Sequence, residues 1–421
     1  RKAERMDSTH IDTGKILDIA RKHEEEITGF RHDFHRHPEL SWQEVETSKK
    51  IEKRLIELGF EGVRRGFKGT ESGVIAEITG TAPAAAGKAD KGSDRPPCIA
   101  LRADIDALPI QEEVSLPYAS EVEGVMHACG HDAHAAMLLG TAAVLSGMKD
   151  SFSGKVRLIF QPAEEAGNDS GAPAMIEGGA LDGVDAIAGV HVWSQNPLGT
   201  FGTRSGTLMA SADIWEVAIQ GQGGHGAMPH QAVDPTVAAA HIISVLQTVV
   251  SREIDPLESA VVSVGKIESG NAPNVIPDRA TMRGNVRTTN RETRAEMEGR
   301  LKRIVGGISD ALRCTTELTY TPIYPVTVND AGLTGMYRST AVRVFGEDEV
   351  LDVPIAMGSE DFSYYGEKIP AVFGMLGMGD PDEGTDRAHH SPHFKTHDGV
   401  LVPGVAFLAS FALGFLAEHE G

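Results

Sequence analysis

Positive charge, cysteine and long apolar runs are all scarce in this 421-residue sequence. Lys and Arg total 39 against 60 Asp and Glu, so the formal net charge is -21. Such a charge repels a nucleic-acid backbone or an anionic membrane at long range, and neither is an expected partner. The three cysteines, Cys98, Cys129 and Cys314, are too few for a disulfide framework, so at least one is a candidate for chemistry.

No apolar run approaches the roughly 20 residues that cross a bilayer, and the N-terminus is too polar for a secretory signal. We therefore expect a cytoplasmic protein. The segment Arg1–Arg5, before Met6, is interpreted as a terminal extension rather than as part of the fold. With 41% hydrophobic and 24% charged residues, the chain has the composition of a globular protein of two or three domains.

The first half of the chain alternates strand and helix patterns. Strands are predicted at Gly73–Thr79, Cys98–Ile105, Lys155–Gln161 and Asp185–Val192. Helices are predicted around Thr47–Leu58 and over Ala133–Leu145, and the Gly/Ala/Pro-rich stretch Thr81–Pro97 is a predicted surface loop. This alternation indicates an α/β fold with a mostly parallel sheet covered by helices.

From about Leu208 the order of elements changes to strand, helix, two strands, helix and strand, which indicates an inserted α+β domain of split β-α-β, ferredoxin-like type. The predicted elements are Asp213–Gln220, Pro235–Glu253, Ala260–Glu268, Arg279–Arg287, Arg291–Leu312 and Thr315–Thr321. The chain then returns to strands and helices and ends in an apolar helix near Val402–Ala417. The simplest division assigns 1–207 plus 322–421 to the larger domain and 208–321 to the inserted one.

Side chains suited to metal binding are most concentrated in the nine residues 126–134. One thiol, three imidazoles and one carboxylate occur there, ahead of a predicted amphipathic helix: His127, Cys129, His131, Asp132 and His134. A loop at this place can turn several donors towards one pair of metal ions, and Gly130 lets its backbone bend. The alternative is a His-rich loop without metal.

Two adjacent carboxylates, Glu164 and Glu165, follow the strand Lys155–Gln161 directly after Pro162. The carboxyl end of a parallel strand is where open α/β sheets bind ligands, so one carboxylate can hold a metal ion while the other accepts a proton from water. Taken alone, such a pair is more often a solvated surface feature. His191 also follows a β-rich run and is expected in the same crevice, although a lone histidine there is more often a core residue.

A loop near the C-terminus offers two further histidines, His389 and His390, ahead of Pro392. One of them joins a mixed set of sulfur, nitrogen and oxygen donors: Cys129, His131, Glu165 and His191. This set is larger than the four ligands of a structural zinc site, and it mixes carboxylate with thiolate. The donors therefore predict a two-ion site completed by water.

Several motifs in this order resemble the aminoacylase and carboxypeptidase-like clan of metallopeptidases. The segments Phe34–Leu40, Leu101–Pro109 and His390–Pro392 carry the resemblance, which spans nearly the whole chain and is similar to the branch of hippurate hydrolases, auxin-conjugate amidohydrolases and bacterial N-acyl-amino-acid amidohydrolases. The resemblance implies two divalent cations, zinc or manganese, and Glu164 as the catalytic base. The implied ligands are Cys129, His131, Glu165, His191 and His390.

The same resemblance assigns roles outside the ligand set. Many relatives in the clan carry His-x-Asp where this chain has Asp104 and Asp106, so both are expected to orient ligands rather than to bind metal. The inserted domain is expected to dimerise, and its His225 to reach the partner's site and stabilise the reacting oxygen. Asn274 and Arg287 match positions that grip substrate. Without the resemblance, His225 is equally a turn histidine, and the other two are equally structural.

The expected reaction is hydrolysis of the amide bond of an N-acyl amino acid or a similar small carboxylate-bearing substrate by metal-activated water. A metal-dependent deaminase of a small aromatic amine would use the same ligands and would release ammonia. A non-catalytic metal-dependent binding protein is the third hypothesis. Glu164 argues against it, because a binding protein needs no base beside Glu165.

Overall fold

The computed structural model describes residues 12–83 and 95–419. The segment Arg1–Arg5 and most of the predicted loop Thr81–Pro97 therefore lie outside the described residues. The helices are α1 Thr13–Lys22, α2 Glu24–Arg36, α3 Val45–Glu57, α4 His131–Gly147, α5 Gly171–Glu177, α6 Pro235–Thr248, α7 Arg291–Ala311, α8 Ala331–Phe345, α9 Ser363–Gly366 and α10 Leu401–His419. The strands are β1 Glu61–Arg65, β2 Val74–Thr79, β3 Cys98–Asp104, β4 Lys155–Gln161, β5 Ala186–Pro197, β6 Phe201–Thr203, β7 Gly206–Met209, β8 Ala212–Gln220, β9 Gly224–His225, β10 Ala260–Ser269, β11 Val275–Ile276, β12 Arg279–Thr288, β13 Thr315–Tyr324, β14 Thr327–Asn329, β15 Val350–Asp352 and β16 Ala371–Gly379.

The described chain forms two compact units. The first runs up to Gly206 and takes in Val328–Pro354 and the residues from Tyr364 onward; the second comprises Thr207–Thr327 and Ile355–Ser363. The first unit is built on an eight-stranded sheet of order β1-β2-β4-β3-β5-β16-β6-β15. Its central pairs β4–β3, β3–β5 and β5–β16 are parallel, as is β6–β15, and the remaining pairs are antiparallel. The predicted α/β fold with a mostly parallel sheet is confirmed.

Helix α4 is the central helix of this unit. It was predicted to be amphipathic, but every residue from His131 to Leu145 is buried, because α2, α10 and strand β3 all pack against it. The packing is close at Gly140, where a Cβ atom would lie 2.6 Å from Cγ2 of Val405 and 2.8 Å from Cδ1 of Ile27. A helix that is buried on all sides is a core helix.

The C-terminal helix corrects the expectation that no apolar run is long enough to cross a bilayer. By length and composition Asp398–His419 is long enough, with 22 residues and a mean hydropathy of 2.2. Within its most apolar window, 83% of the residues are buried inside the protein, where α10 contacts α1, α4 and α8. The apolar sequence is thus accounted for by burial in the core.

The second unit contains a four-stranded antiparallel sheet of order β13-β8-β12-β10, with α6 and α7 packed on it. In chain order its elements are strand, helix, strand, strand, helix and strand, so the predicted split β-α-β arrangement is confirmed. Trp215, Val217 and Ile219 alternate along β8 and are fully buried against the helices. The predicted helix Pro235–Glu253 ends as an α-helix at Thr248 and continues as a π-helical segment.

Asp213 joins the sheet of this unit to α7, and we expect Asp213→Ala to destabilise the unit. The buried carboxylate accepts hydrogen bonds from Arg294 at 2.7 Å, from the Tyr320 hydroxyl at 2.7 Å and from the Ile323 amide at 3.2 Å. Removing it leaves a guanidinium and a hydroxyl without this partner, at a cost of about 3–5 kcal/mol. Urea unfolding measures the change, with exposed Glu317→Ala as the control. Equal midpoints for the two variants would contradict the prediction.

Candidate metal centre

The candidate centre lies at the carboxyl ends of the central strands. Strands β3 and β4 end side by side, with Asp104 paired with Gln161. On the other side of β3, Arg102 pairs with Gly189, so His191 is level with Asp104 two residues further on. His191 was predicted at the end of its strand, but β5 continues to Pro197. The parallel register, rather than a strand end, brings this histidine to the site.

Gly130 makes the turn that separates Cys129 from His131. It adopts φ 86°, and a Cβ atom would lie 2.4 Å from Cγ2 of Val192, so only glycine fits. Of the predicted cluster, only His127 and Cys129 are on the loop. His131 is the first residue of α4, and His134 follows one turn later.

A strained turn positions the carboxylate pair. Ala163 has φ 54°, which is costly for a residue with a Cβ atom, and its backbone is held at both ends. Its amide donates to Oε1 of the buried Glu44 at 2.8 Å, and its carbonyl accepts from the Gly171 amide at 2.9 Å. The turn leaves Glu164 buried, while the side chain of Glu165 is 13% exposed.

Two of the groups of side chains that could hold a cation overlap through Glu165. Cys129, Glu165 and His390 each offer one atom within 4.8 Å of the others, and so do His131, Glu164 and Glu165. The His390 ring lies 3.0 Å from the Glu165 carboxylate, and its amide donates to the Ala128 carbonyl at 2.8 Å. Because Glu165 belongs to both groups, the geometry suits two neighbouring cations better than one.

Asp106 holds part of this set in place. Its Oδ1 lies 3.1 Å from Nδ1 of His131, and its Oδ2 accepts hydrogen bonds from the Glu165 amide at 3.0 Å and from the Ser41 hydroxyl at 2.7 Å. Nε2 of His131 is buried and has no hydrogen-bond partner among the described residues. The arrangement leaves that nitrogen free for a cation.

His134 and His389 also lie at the centre; the sequence offered both as possible metal-binding side chains, but neither belongs to the predicted ligand set. His134 contacts Asp104 through Nδ1 at 2.5 Å, and its Nε2 accepts the Val192 amide hydrogen at 2.9 Å. Both ring nitrogens of His134 therefore take part in hydrogen bonds, and the ring orients Asp104 and the backbone at Val192. The predicted helix began at Ala133, but α4 begins at His131, and the spacing of three residues then places the rings of His131 and His134 on one face. Asp104 also accepts from Arg102 at 2.7 Å.

The electrostatics of the centre favour cations. Burial raises the pKa of the Cys129 thiol well above its ordinary value, and the carboxylates of Glu165 and Glu164 add to the rise. Burial alone would lower the pKa of His131, but Asp104 and Asp106 raise it to about 10. Both shifts reflect negative charge gathered around buried ligating atoms, which a divalent cation would neutralise.

Three further predicted site residues belong to the second unit. His225 is exposed on β9, where its Nδ1 accepts the Ala227 amide hydrogen at 3.0 Å. Asn274 precedes β11, the partner strand of β9, and its carbonyl accepts from the Gly226 amide at 2.9 Å. Arg287 is half-buried on β12, and burial lowers the pKa of its guanidinium.

Comparison with known proteins identifies the family. The sequence profile of peptidase family M20/M25/M40 matches residues 100–414. An N-acetylcysteine deacetylase of Bacillus subtilis is 42% identical over 387 residues, which cover 92% of this chain and 96% of that protein. IAA-amino acid hydrolase ILR1-like 2 of Arabidopsis thaliana is 40% identical, over 98% of this chain and 90% of the relative.

The fold agrees with solved relatives. A Bacillus subtilis protein described as a dinuclear metal binding peptidase from the M20 family superposes with a TM-score of 0.80 at 38% identity, covering 94% of this chain and 99% of that one. A mostly parallel sheet with thiol, imidazole and carboxylate donors at its carboxyl edge is the frame of a metallohydrolase. The chain belongs to peptidase family M20/M25/M40, and the predicted class, a metal-dependent amidohydrolase, is confirmed.

Proposed function

We propose that this protein hydrolyses the amide bond of an N-acyl amino acid with two divalent cations, zinc or manganese. The observation that carries the proposal is the overlap of two donor groups through Glu165. The proposed ligands are Cys129, His131, Glu165, His191 and His390. The fit rests on the orphaned Nε2 atom of His131 and on a mixed donor set that suits zinc and admits manganese. Bound there, the cations would polarise the scissile carbonyl and make a water molecule more acidic.

Glu164 is the proposed general base. It is buried on the turn that begins at Ala163, within 4.8 Å of donor atoms of His131 and Glu165. In the proposed reaction its carboxylate takes a proton from the attacking water and then gives that proton to the leaving nitrogen. Glu165 serves as a ligand, since its carboxylate belongs to both overlapping donor groups, and its backbone amide is held by Asp106.

His225 is the proposed oxyanion donor, supplied by the second subunit of a homodimer. The Ala227 amide occupies Nδ1, so the neutral ring carries its proton on Nε2, at an exposed position. An exposed N–H group held in one orientation is what an oxyanion donor requires. Asn274 and Arg287 are proposed to bind the substrate carboxylate or the oxyanion, and the guanidinium of Arg287 can bind a carboxylate in bidentate fashion. We place this activity in the cytoplasm.

The substrate class is supported by the relatives, whose names describe deacetylation of N-acetylcysteine and hydrolysis of IAA-amino acid conjugates. A test incubates the purified protein with N-acetyl amino acids, an aryl-acetyl amino acid and small aromatic amines, and identifies the products by mass spectrometry. We expect an amino acid and a carboxylic acid. Release of ammonia from the aromatic amines, with no cleavage of the amides, would overturn the proposal in favour of a deaminase.

The number of bound cations gives an independent prediction. Two overlapping donor groups should hold two ions, so elemental analysis of protein loaded with zinc or manganese should find about two ions per chain. Cys129→Ala should lower the count, because the thiol belongs to one of the two donor groups. The matched control is Cys314→Ala, which removes a buried thiol of the second unit. One ion per chain in the unmutated protein would contradict the two-ion site.

A further inference from the structure

His389 contacts the same thiol as His191, but through a ring nitrogen of a different kind. Nε2 of His191 lies 3.4 Å from Sγ of Cys129, and Nδ1 of His389 lies 3.9 Å from the same sulfur. The three side chains form one of the donor groups that a cation could occupy. Distance alone therefore makes both histidines candidate ligands.

Hydrogen bonds on the far side of each ring separate the two histidines. Nδ1 of His191 lies 2.6 Å from the Val192 carbonyl, which can only accept, so this ring carries its proton on Nδ1. Nε2 of His191 then presents a lone pair beside the thiol, as a ligand must. In His389 the Ser194 amide donates to Nε2 at 3.3 Å, so the proton of the neutral ring is on Nδ1, facing Cys129.

The surrounding rings hold His389 in this orientation. Its ring centroid lies 5.2 Å from His191, 5.2 Å from Trp193 and 4.9 Å from Phe394. The other neutral tautomer would place an Nε2–H group against the Ser194 amide, where two donors would oppose each other, and a ring turned by 180° would place a carbon there that cannot accept the amide hydrogen. Packing and hydrogen bonding therefore both direct an N–H group of His389 at Cys129.

We propose that His389 is not a metal ligand but a positioning residue that donates its Nδ1–H to the Cys129 sulfur and so lowers the electron density of this thiolate ligand. The inference rests on the proposed metal site. A hydrogen bond to a coordinating sulfur changes how strongly the sulfur donates charge to the metal, and residues that contact ligands commonly change cation affinity about 10–100-fold when removed. At 3.9 Å the contact is long, and we expect roughly the lower end of that range.

The test uses cobalt(II)-loaded protein, because a thiolate bound to cobalt gives a sulfur-to-metal charge-transfer band in the near ultraviolet. His389→Phe keeps an aromatic ring and removes the donor, whereas His389→Asn places an amide N–H near the position of Nδ1. The control is His393→Phe, in the same loop, since His393 is exposed and lies 3.5 Å from Glu113. Cation affinity is measured in parallel by competition with a chromophoric chelator.

We expect the band of His389→Phe to move to lower energy, because the sulfur then donates more charge to the metal. Cation affinity should fall roughly tenfold at an unchanged number of ions per chain, because the sulfur is no longer held in its orientation. The bands of His389→Asn and His393→Phe should stay close to that of the unmutated protein. An unshifted band in His389→Phe would overturn the proposal and would leave the backbone of Cys129, which also interacts with this ring, as the acceptor. Loss of one ion per chain would instead identify His389 as a ligand.

A measurement on the unmutated protein covers the case in which His389→Phe does not fold. In zinc-loaded protein labelled with nitrogen-15 at histidine, NMR should find the His389 proton on Nδ1 and none on Nε2. The reverse tautomer would overturn the proposal without any substitution. If the cobalt-loaded protein shows no charge-transfer band at all, the proposed thiolate ligand has failed, and this outcome differs from an unshifted band.

Discussion

Glu164→Gln should retain its bound cations and lose most of its activity. The amide has the shape of the carboxylate but cannot accept a proton, and removal of a general base commonly lowers kcat by about 10²–10⁴-fold. Glu164 is buried next to the turn at Ala163, whose amide is hydrogen-bonded to Glu44. The substitution should therefore leave the position of the side chain unchanged. Steady-state kinetics and elemental analysis of the same preparation measure the two quantities.

The neighbouring substitution Glu165→Gln is the matched comparison, because it makes the same chemical change one residue away. Glu165 belongs to both donor groups, and its amide is fixed by Asp106. An amide oxygen without charge is a weaker ligand for a divalent cation, so the number of bound ions should fall and activity should fall with it. If Glu164→Gln loses cations and Glu165→Gln keeps them, the two carboxylates have the opposite roles.

The elements that sequence predicted best are those with a clear stop signal at their end. Strand Lys155–Gln161 was predicted with its observed bounds, since its apolar run is closed by Pro162. The residues that gather at the centre come from four separate stretches, and the resemblance to a known clan placed them in one set. That inference rested on the residue types and their order along the chain, and not on geometry.

The sequence could not predict the contacts that distinguish side chains of the same type. His134 and His389 have the same side chain as His131 and His191, and only their hydrogen bonds distinguish an engaged nitrogen from a free one. The place of His191 in the middle of β5 follows from the register of three strands far apart in the chain. Long-range pairing of this kind is not visible in local periodicity.

His225→Ala should fold, form dimers and bind cations normally while kcat falls by about 10²–10³-fold, the usual effect of losing one oxyanion donor. The ring is exposed, so its removal opens no cavity in the core. His230→Ala, at an exposed histidine five residues further along the chain, is the control and should retain its activity. Size-exclusion chromatography checks the dimer, and elemental analysis checks the cations.

A mixture of two inactive variants tests whether His225 acts across the proposed dimer. Each homodimer of His225→Ala or of Glu164→Gln is defective at both sites, because every site lacks either the donor or the base. In a heterodimer of closed two-fold symmetry, the chain that keeps Glu164 faces the chain that keeps His225, so one site has both groups. Heterodimers purified through two different affinity tags should therefore regain activity. If they form and stay inactive, His225 acts within its own chain or has no part in the reaction.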